Sequence, residues 1–523
     1  MTDYALELDR VSKRFGAVQA NKDVSLNVVK GSIHGIVGEN GAGKSTLMSI
    51  LYGFYQADSG SISVFGKPAD IPNSHAAIAA GIGMVHQHFM LVEPFTVLEN
   101  IILGNEGSAL LMQGQAKARK VLLDLSTNYN LKVDPDAIVG DLPVGLQQRV
   151  EILKALYKGA KVLILDEPTG VLTPQETDDL FAILKGLKEQ GVTILLITHK
   201  LKEIMAITDN VSVMRHGEMV ANLSTAETNP EELAELMVGR KVVTQLEKPD
   251  AAAGDDVLKV EGLSVVDAQQ VERVKNVSFK VSAGEIVGIA GVSGNGQTEL
   301  MEALAGMRSV DAGTICYGKL KISTESHIGP DELRDAGIAH VPEDRHRVGL
   351  VTPMSASENS ILGYHRDDKW NQHGLLKPGL VEKHCATLMS DFDVRPQDPK
   401  LKSANFSGGN QQKLILAREL DREPKVLLVG QPTRGVDIGA IEFIHTQLLK
   451  MRNRGGAILL ISVELDEILA LSDRIIVMCD GRITGEVAAA DADERTLGLM
   501  MSATADLSSD SDLSSNSEQE QAG

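Results

Sequence analysis

The sequence predicts an α/β protein in which one fold is built twice in tandem. Three observations predict it. The chain has 523 residues, more than one ordinary core organises, so two or more domains are expected. Short apolar segments alternate with amphipathic helical stretches, the pattern of buried, largely parallel strands covered by helices. Segments also recur. Asp23-Val24-Ser25-Leu26 returns as Asn276-Val277-Ser278-Phe279, and 209–217 (DNVSVMRHG) returns as 473–481 (DRIIVMCDG). A period of about 250 residues is a duplicated domain rather than a solenoid unit.

The elements follow in order. Residues 32–37 read as a buried strand and 44–51 as a helix. Between them runs Gly38-Glu39-Asn40-Gly41-Ala42-Gly43-Lys44-Ser45-Thr46, a complete G-x-x-x-x-G-K-S phosphate-binding loop. In such a loop the backbone amides converge on phosphate oxygens at a helix N-terminus. Lys44 would supply a point charge to the β- and γ-phosphates, and Ser45 and Thr46 begin the helix, with Ser45 placed to ligate Mg2+. Residues 161–165 and 192–197 are further strands. The first of them leads into Asp166-Glu167. Asp166 is placed to hold the magnesium shell, and Glu167 to polarise an attacking water as general base.

The second copy reads Gly291-Val292-Ser293-Gly294-Asn295-Gly296-Gln297-Thr298. The glycines are kept, but Gln297 stands where the lysine would be. Residues 93–159 and 349–423 read mainly as helix, a helical subdomain in each half. The expected boundaries are 1–240 for the first domain, 241–256 for a linker and 257–502 for the second domain. The Ser-rich acidic tail 503–523 is expected to be disordered.

Composition narrows the class. The chain is 43% hydrophobic and 23% charged, as in globular proteins. No apolar run reaches the roughly 18 residues that span a bilayer, and Met1-Thr2-Asp3-Tyr4 opens no signal peptide. A net charge of -20 argues against a nucleic-acid partner. Cys316, Cys385 and Cys479 are far apart and read as packing residues, not as a metal or redox set.

With these motifs in family order, the chain resembles the ATP-binding cassette (ABC) ATPases over nearly all of both halves. The resemblance implies two tandem P-loop domains, each with a RecA-like α/β core and a helical subdomain, using ATP and Mg2+. It makes Gln87 the Q-loop glutamine, a metal and partner contact, and His199 the switch histidine at the γ-phosphate. Phe15 becomes the aromatic that stacks on adenine. The family sandwiches ATP between the P-loop of one cassette and the L-S-G-G-Q signature of the other. The second half keeps this signature as Phe406-Ser407-Gly408-Gly409-Asn410-Gln411. The first half has Leu142-Pro143-Val144-Gly145-Leu146-Gln147, and Pro143 offers neither a hydroxyl nor an amide hydrogen.

Paired head to tail, one composite site joins Lys44, Ser45, Gln87, Asp166, Glu167 and His199 to Ser407, Gly408 and Gly409, with Asp437 as the D-loop aspartate. Every chemical group is present. The other joins Gln297 and Thr298 to the altered Pro143 segment. It has Glu343 at the Q-loop position, Gly430 and Gln431 for Asp-Glu, Val463 for the switch histidine and Thr173 for the D-loop aspartate. No aromatic stands near Val265 and Val266. The substitutions gather in one site, so that site is expected to bind nucleotide weakly at most, without turnover. The pairing is open between one chain and two copies.

Within the family, Pro342-Glu343-Asp344-Arg345, Gln431-Pro432-Thr433-Arg434-Gly435 and Ser407–Lys413 resemble the ATP-binding subunit of carbohydrate-type importers. Residues 86–100 (HQHFMLVEPFTVLEN) most resemble the nucleoside-uptake branch. That implies two separate integral-membrane permeases, an extracytoplasmic substrate-binding protein or lipoprotein acting through them, and a place on the cytoplasmic face of a bacterial inner membrane. The rival is a ribosome-binding tandem-cassette factor. The degenerate site and the short linker of mixed or acidic charge argue against it.

Overall fold

A computed structural model describes the chain except residues 1–2, 17, 87–88, 105–110, 171, 241–247, 250–252, 293, 373–374 and 503–523. Gln87, most of the expected linker and the expected tail therefore lie outside the described residues. The chain divides into two compact units, Met1–Val242 and Val243–Gly523.

The first unit is built on a six-stranded sheet in the order Glu218–Ser224, Asn210–Arg215, Ile33–Gly38, Thr193–Ile197, Val162–Asp166, Ile82–Val85. All neighbours pair in parallel except Glu218–Ser224. Ile33–Gly38 and Thr193–Ile197 are buried along their whole length. Apolar runs rather than alternation are what a sheet covered on both faces requires. The second unit repeats the order with Arg482–Ala488, Arg474–Cys479, Ile286–Ala290, Ala457–Ser462, Val426–Gly430 and Ile338–Val341.

Each unit adds a four-stranded antiparallel sheet that the pattern of buried parallel strands did not predict. In the first unit it runs Val18–Val29, Tyr4–Phe15, Ser59–Val64, Lys67–Pro68. Its two long strands carry register shifts at Leu8/Val11 and Val11/Lys13, which break the alternation that would mark a strand. One core joins this sheet to the main one: Leu6, Val11 and Val24 cluster with Leu47 and Leu51 of the helix Lys44–Leu51 and with Ile164 and Leu195.

The stretches expected to be mainly helical hold the α-helices Val97–Ile102, Leu111–Asn128 and Val144–Tyr157 in one unit, and Ala356–Ser360, Pro378–Asp391 and Gly408–Leu420 in the other. The second also holds a small hairpin, Asn371–Gln372 with Leu375–Leu376. The duplication extends to single hydrogen bonds. Asn100 is fully buried, accepts from Val92 N at 2.7 Å and donates to Val92 O at 3.0 Å. Asn359 is also fully buried and does the same with Val351, at 2.8 and 3.0 Å. Each amide side chain satisfies a loop backbone that has no strand partner.

Two predictions follow from this packing. Asn359→Ala leaves the Val351 N–H without its side-chain acceptor and destabilises its unit by about 1–2 kcal/mol, read as a lower urea midpoint. His34 is buried, with Nε2 2.7 Å from Ser212 Oγ, and burial lowers its pKa from 6.5 to about 4. The unfolded chain therefore binds more protons between those values. This contribution to stability is complete above about 6.5 and falls as pH drops toward about 4. His34→Gln flattens that part of the stability–pH curve, by at most about 1.4 kcal/mol per pH unit.

Candidate nucleotide sites

In the first unit the strand Ile33–Gly38 ends in the glycine loop, which turns into the helix Lys44–Leu51. Gly43 has φ 100° and is closed in, since a Cβ there would stand 2.3 Å from Ala20 O. Only glycine fits. Asn21, buried in the antiparallel sheet, donates from Nδ2 to Gly43 O at 3.0 Å and pins the loop from the side. Asn40, Gly41 and Ser45 are exposed, and Thr46 is half-buried. No side chain caps the helix, so its first amides are aimed at the loop, as phosphate binding requires.

Lys44 is buried, and its Nζ donates to Gly38 O at 2.6 Å and Glu39 O at 3.0 Å. Burial holds its pKa below the usual range, while Glu167 and Asp166 pull the other way. Asp166 ends the strand Val162–Asp166. Burial, and then the charge of Glu167, push its pKa up to about 6 against the pull of Lys44. This is a carboxylate pair short of positive charge. A hydroxyl at Ser45 and a carboxylate at Asp166, with phosphate oxygens completing the shell, fit Mg2+, which rarely uses an all-protein cage.

Glu167 follows with φ 46°, a left-handed backbone uncommon outside glycine. Its Oε1 lies 2.9 Å from His199 Nδ1, and that hydrogen bond is the main reason its pKa falls below the ordinary value. His199 comes from the loop after Thr193–Ile197. The fold thus gathers Lys44, Asp166, Glu167 and His199 at the C-terminal ends of neighbouring strands. Phe15 stands apart, at the end of Tyr4–Phe15 in the other sheet, 42% exposed. Tyr55, which the sequence reading did not single out, meets it edge-on at 5.0 Å. Asn21 was also missed. Neither lies within a recognisable motif.

The second unit reproduces the frame with other groups. The helix Gln297–Leu304 starts from Gly296 at φ 90°. Gln297 is 4% exposed, and its Nε2 has no hydrogen-bond partner. Thr298 Oγ1 donates to Glu343 Oε2 at 2.9 Å. Gly430 ends the strand Val426–Gly430. Gln431 keeps the left-handed φ of 46°, but its Oε1 accepts from Val463 N at 3.3 Å. A carboxylate–imidazole couple in one unit is an amide–backbone contact in the other. Val265 is fully buried and Val266 half-buried, so neither presents a ring-stacking surface.

The signature segments differ as their sequences imply. Ser407 is exposed and caps Gly408–Leu420, accepting from Asn410 N at 3.4 Å and Asn410 Nδ2 at 2.8 Å. Side chains at 408 and 409 would strike Arg345 Nη2 at 2.8 Å and Asp437 Oδ2 at 2.7 Å. Pro143 precedes Val144–Tyr157 and makes no side-chain cap. Asp437 and Thr173 both cap the helices that follow them. Among the described residues no helix is long and apolar enough to cross a membrane.

A family model described as ABC transporter matches residues 21–170 and again 274–434. The chain is 47% identical over 496 residues to the nucleoside import ATP-binding protein NupA of Lactococcus lactis, covering 95% of this chain and 97% of that protein. It is 47% identical over 499 residues to the guanosine import ATP-binding protein NupO of Bacillus subtilis, with the same coverage of each. The ribose import ATP-binding protein RbsA of Chromobacterium violaceum is 39% identical over 490 residues, 93% of this chain and 95% of that one. In fold, the archaeal ribosome recycling factor aABCE1, solved in complex with the stalk protein aP1, matches with TM-score 0.60 and 19% identity over 94% of this chain and 92% of that one. With two matched cassette segments and relatives nearly as long as itself, the chain belongs to the ABC transporter family, as an ATP-binding protein carrying two cassettes.

Proposed function

We propose that the chain hydrolyses ATP on its first cassette to drive import of nucleosides, or of simple sugars, through membrane permeases supplied by other chains. The near-full-length identity to two nucleoside import proteins carries this reading. In this reading the chain sits at the cytoplasmic face of the membrane, and an extracytoplasmic substrate-binding protein delivers cargo to the permeases.

The chemistry follows from the residues. The loop amides from Gly41 to Thr46 and the Lys44 ammonium hold the β- and γ-phosphates, and Phe15 stacks on adenine. Ser45, Asp166 and Gln87 would hold Mg2+, which when bound neutralises charge on those phosphates. A water attacks the γ-phosphorus. Its oxygen–phosphorus bond forms, the bond to the β-phosphate oxygen breaks, and the proton passes to a Glu167 oxygen. Before this, His199 holds that carboxylate at 2.9 Å. A γ-phosphate that draws the imidazole to itself releases Glu167 toward the water. Ser407, Gly408 and Gly409 close over the phosphate from the second cassette of the same or a neighbouring chain. The second cassette lacks the lysine, the carboxylate base and the switch imidazole, and does not turn nucleotide over.

The loop after Ile82–Val85 suits a permease contact. Met90 is 59% exposed, yet its backbone is fixed by the buried Glu151, which accepts from Met90 N at 2.7 Å, and by Lys154, which donates to Met90 O at 2.6 Å. With half-buried Phe89, Leu91 and Val92 beside it, Met90 would form the kind of apolar cluster that marks an interface.

Lys44→Ala abolishes ATP turnover. Glu167→Gln lowers kcat by about a hundredfold or more while labelled ATP still binds. Gln431→Ala leaves turnover in place, and loss of turnover in that variant with the fold intact contradicts a single hydrolytic site. Cells carrying the intact transporter accumulate labelled nucleosides, and cells without this chain do not. Sugar uptake in their place moves the cargo to the second class, and co-purification with ribosomes instead of permeases refutes the import reading.

A further inference from the structure

The loop that carries Lys44 has a brace that the other glycine loop lacks. Backbone clasps both loops in the same way. Lys22 N donates to Gly217 O at 2.8 Å and Gly217 N to Ala42 O at 3.0 Å; in the second unit Lys275 N donates to Gly481 O at 2.8 Å and Gly481 N to Asn295 O at 3.1 Å. Both helices open on the same bond, Leu47 N to Gly43 O and Leu300 N to Gly296 O, each at 3.0 Å. With φ of 100° at Gly43 and 90° at Gly296, these contacts set the shape of the loop in each half.

The difference is one side chain on the antiparallel sheet. Asn21 pairs with Lys13, three residues before the pair Val24 with Val11. Val274 pairs with Val265, three residues before the pair Val277 with Leu263. The two positions are therefore equivalent. Both are fully buried, and Val274 lies among the apolar residues of its core. Asn21 Nδ2 donates to Gly43 O at 3.0 Å, and a valine has nothing to donate. The second loop does carry an amide, Asn295, but it bonds Met478 O and Asp480 N, each at 3.3 Å. Those lie on the facing hairpin and not on the peptide that opens the helix.

Stability does not account for Asn21. Its Oδ1 is buried without a hydrogen-bond partner among the described residues, which is unfavourable, and Val274 shows the same fold closing over an apolar side chain. The consequence of the bond lies on the other side of the peptide. A planar trans peptide points its C=O and its N–H in opposite directions. Gly43 O held on Asn21 therefore fixes the Lys44 N–H facing away, at the end of the helix where Asn40, Gly41 and Ser45 are exposed. That N–H is one of the amides a phosphate meets at a helix N-terminus.

We propose that Asn21 is a positioning residue for nucleotide at the first P-loop, where it acts through Gly43 O to hold the Lys44 N–H on the β-phosphate. This rests on the reading of that loop as the ATP site. It makes Asn21 matter for nucleoside di- and triphosphates and not for monophosphates, which have no β-phosphate.

The test uses the full chain and compares the share of nucleotide binding that Lys44→Ala removes, which sets the second loop aside. Asn21→Val, the residue of the other half, is expected to weaken ADP and ATP binding by about tenfold, with AMP affinity, read by competition, and the ligand-free thermal midpoint not lowered. Asn21→Ala leaves a space and lowers the midpoint, yet shifts the ratio of ADP to AMP affinity by the same factor, so the proposal stays testable should the valine chain fold poorly. An unchanged ADP affinity in either folded variant, or ADP and AMP affinities that fall together, overturns the proposal. No Lys44-dependent ADP binding in the unaltered chain overturns the ATP reading of the loop and the proposal with it.

Discussion

The hydrogen-bonded seat of one strand governs everything else in each cassette. Ile33–Gly38 is held between parallel neighbours on both sides, Thr193–Ile197 and Asn210–Arg215, and is buried throughout. A strand so fixed delivers the glycine loop to one place at the C-terminal edge of the sheet. The next strands deliver His199, then Asp166 and Glu167, along the same edge, which is where ligands sit in open α/β sheets. The long-range contacts that assemble these groups are the parallel strand pairings themselves. The second unit seats Ile286–Ala290 in the same way, and its glycine loop keeps its shape although the chemistry on it has changed.

The two halves separate framework from reagent. Gly43 and Gly296 keep positive φ because the backbone of the facing strand, Ala20 O in one half and Arg273 O in the other, fills the space a side chain would need. Asn100 and Asn359 keep the same loop closed. These positions serve folding, and both halves retain them. The positions that differ, Lys44 against Gln297, Glu167 against Gln431 and His199 against Val463, lie just past the C-terminal ends of the central strands. The side-chain differences between the halves have therefore left the shared packing intact.

Much of this was legible in the sequence where local patterns carry it. The helix Lys44–Leu51 and the strands around it follow from apolar runs and glycine spacing, and the site residues follow from motif order. The antiparallel strands Tyr4–Phe15 and Val18–Val29 were not legible, since bulges interrupt their alternation. Tyr55 was missed because its contact with Phe15 joins residues far apart in sequence. The bond between Thr298 and Glu343 was also hidden. The sequence presents Glu343 as a departure from glutamine, and only the register of Ile338–Val341 against Val426–Gly430 sets it beside the missing carboxylate.

The left-handed turn shared by Glu167 and Gln431 has a consequence for how such a protein can change. Holding a side-chain-bearing residue at positive φ costs on the order of 1–2 kcal/mol, and that cost is met in the half that has no base to present as fully as in the half that does. The turn is therefore inherited with the strand and is not maintained by catalysis. A glutamate restored at 431 would arrive on a backbone already shaped for it. At this turn the two cassettes differ by a side-chain exchange on an unchanged backbone.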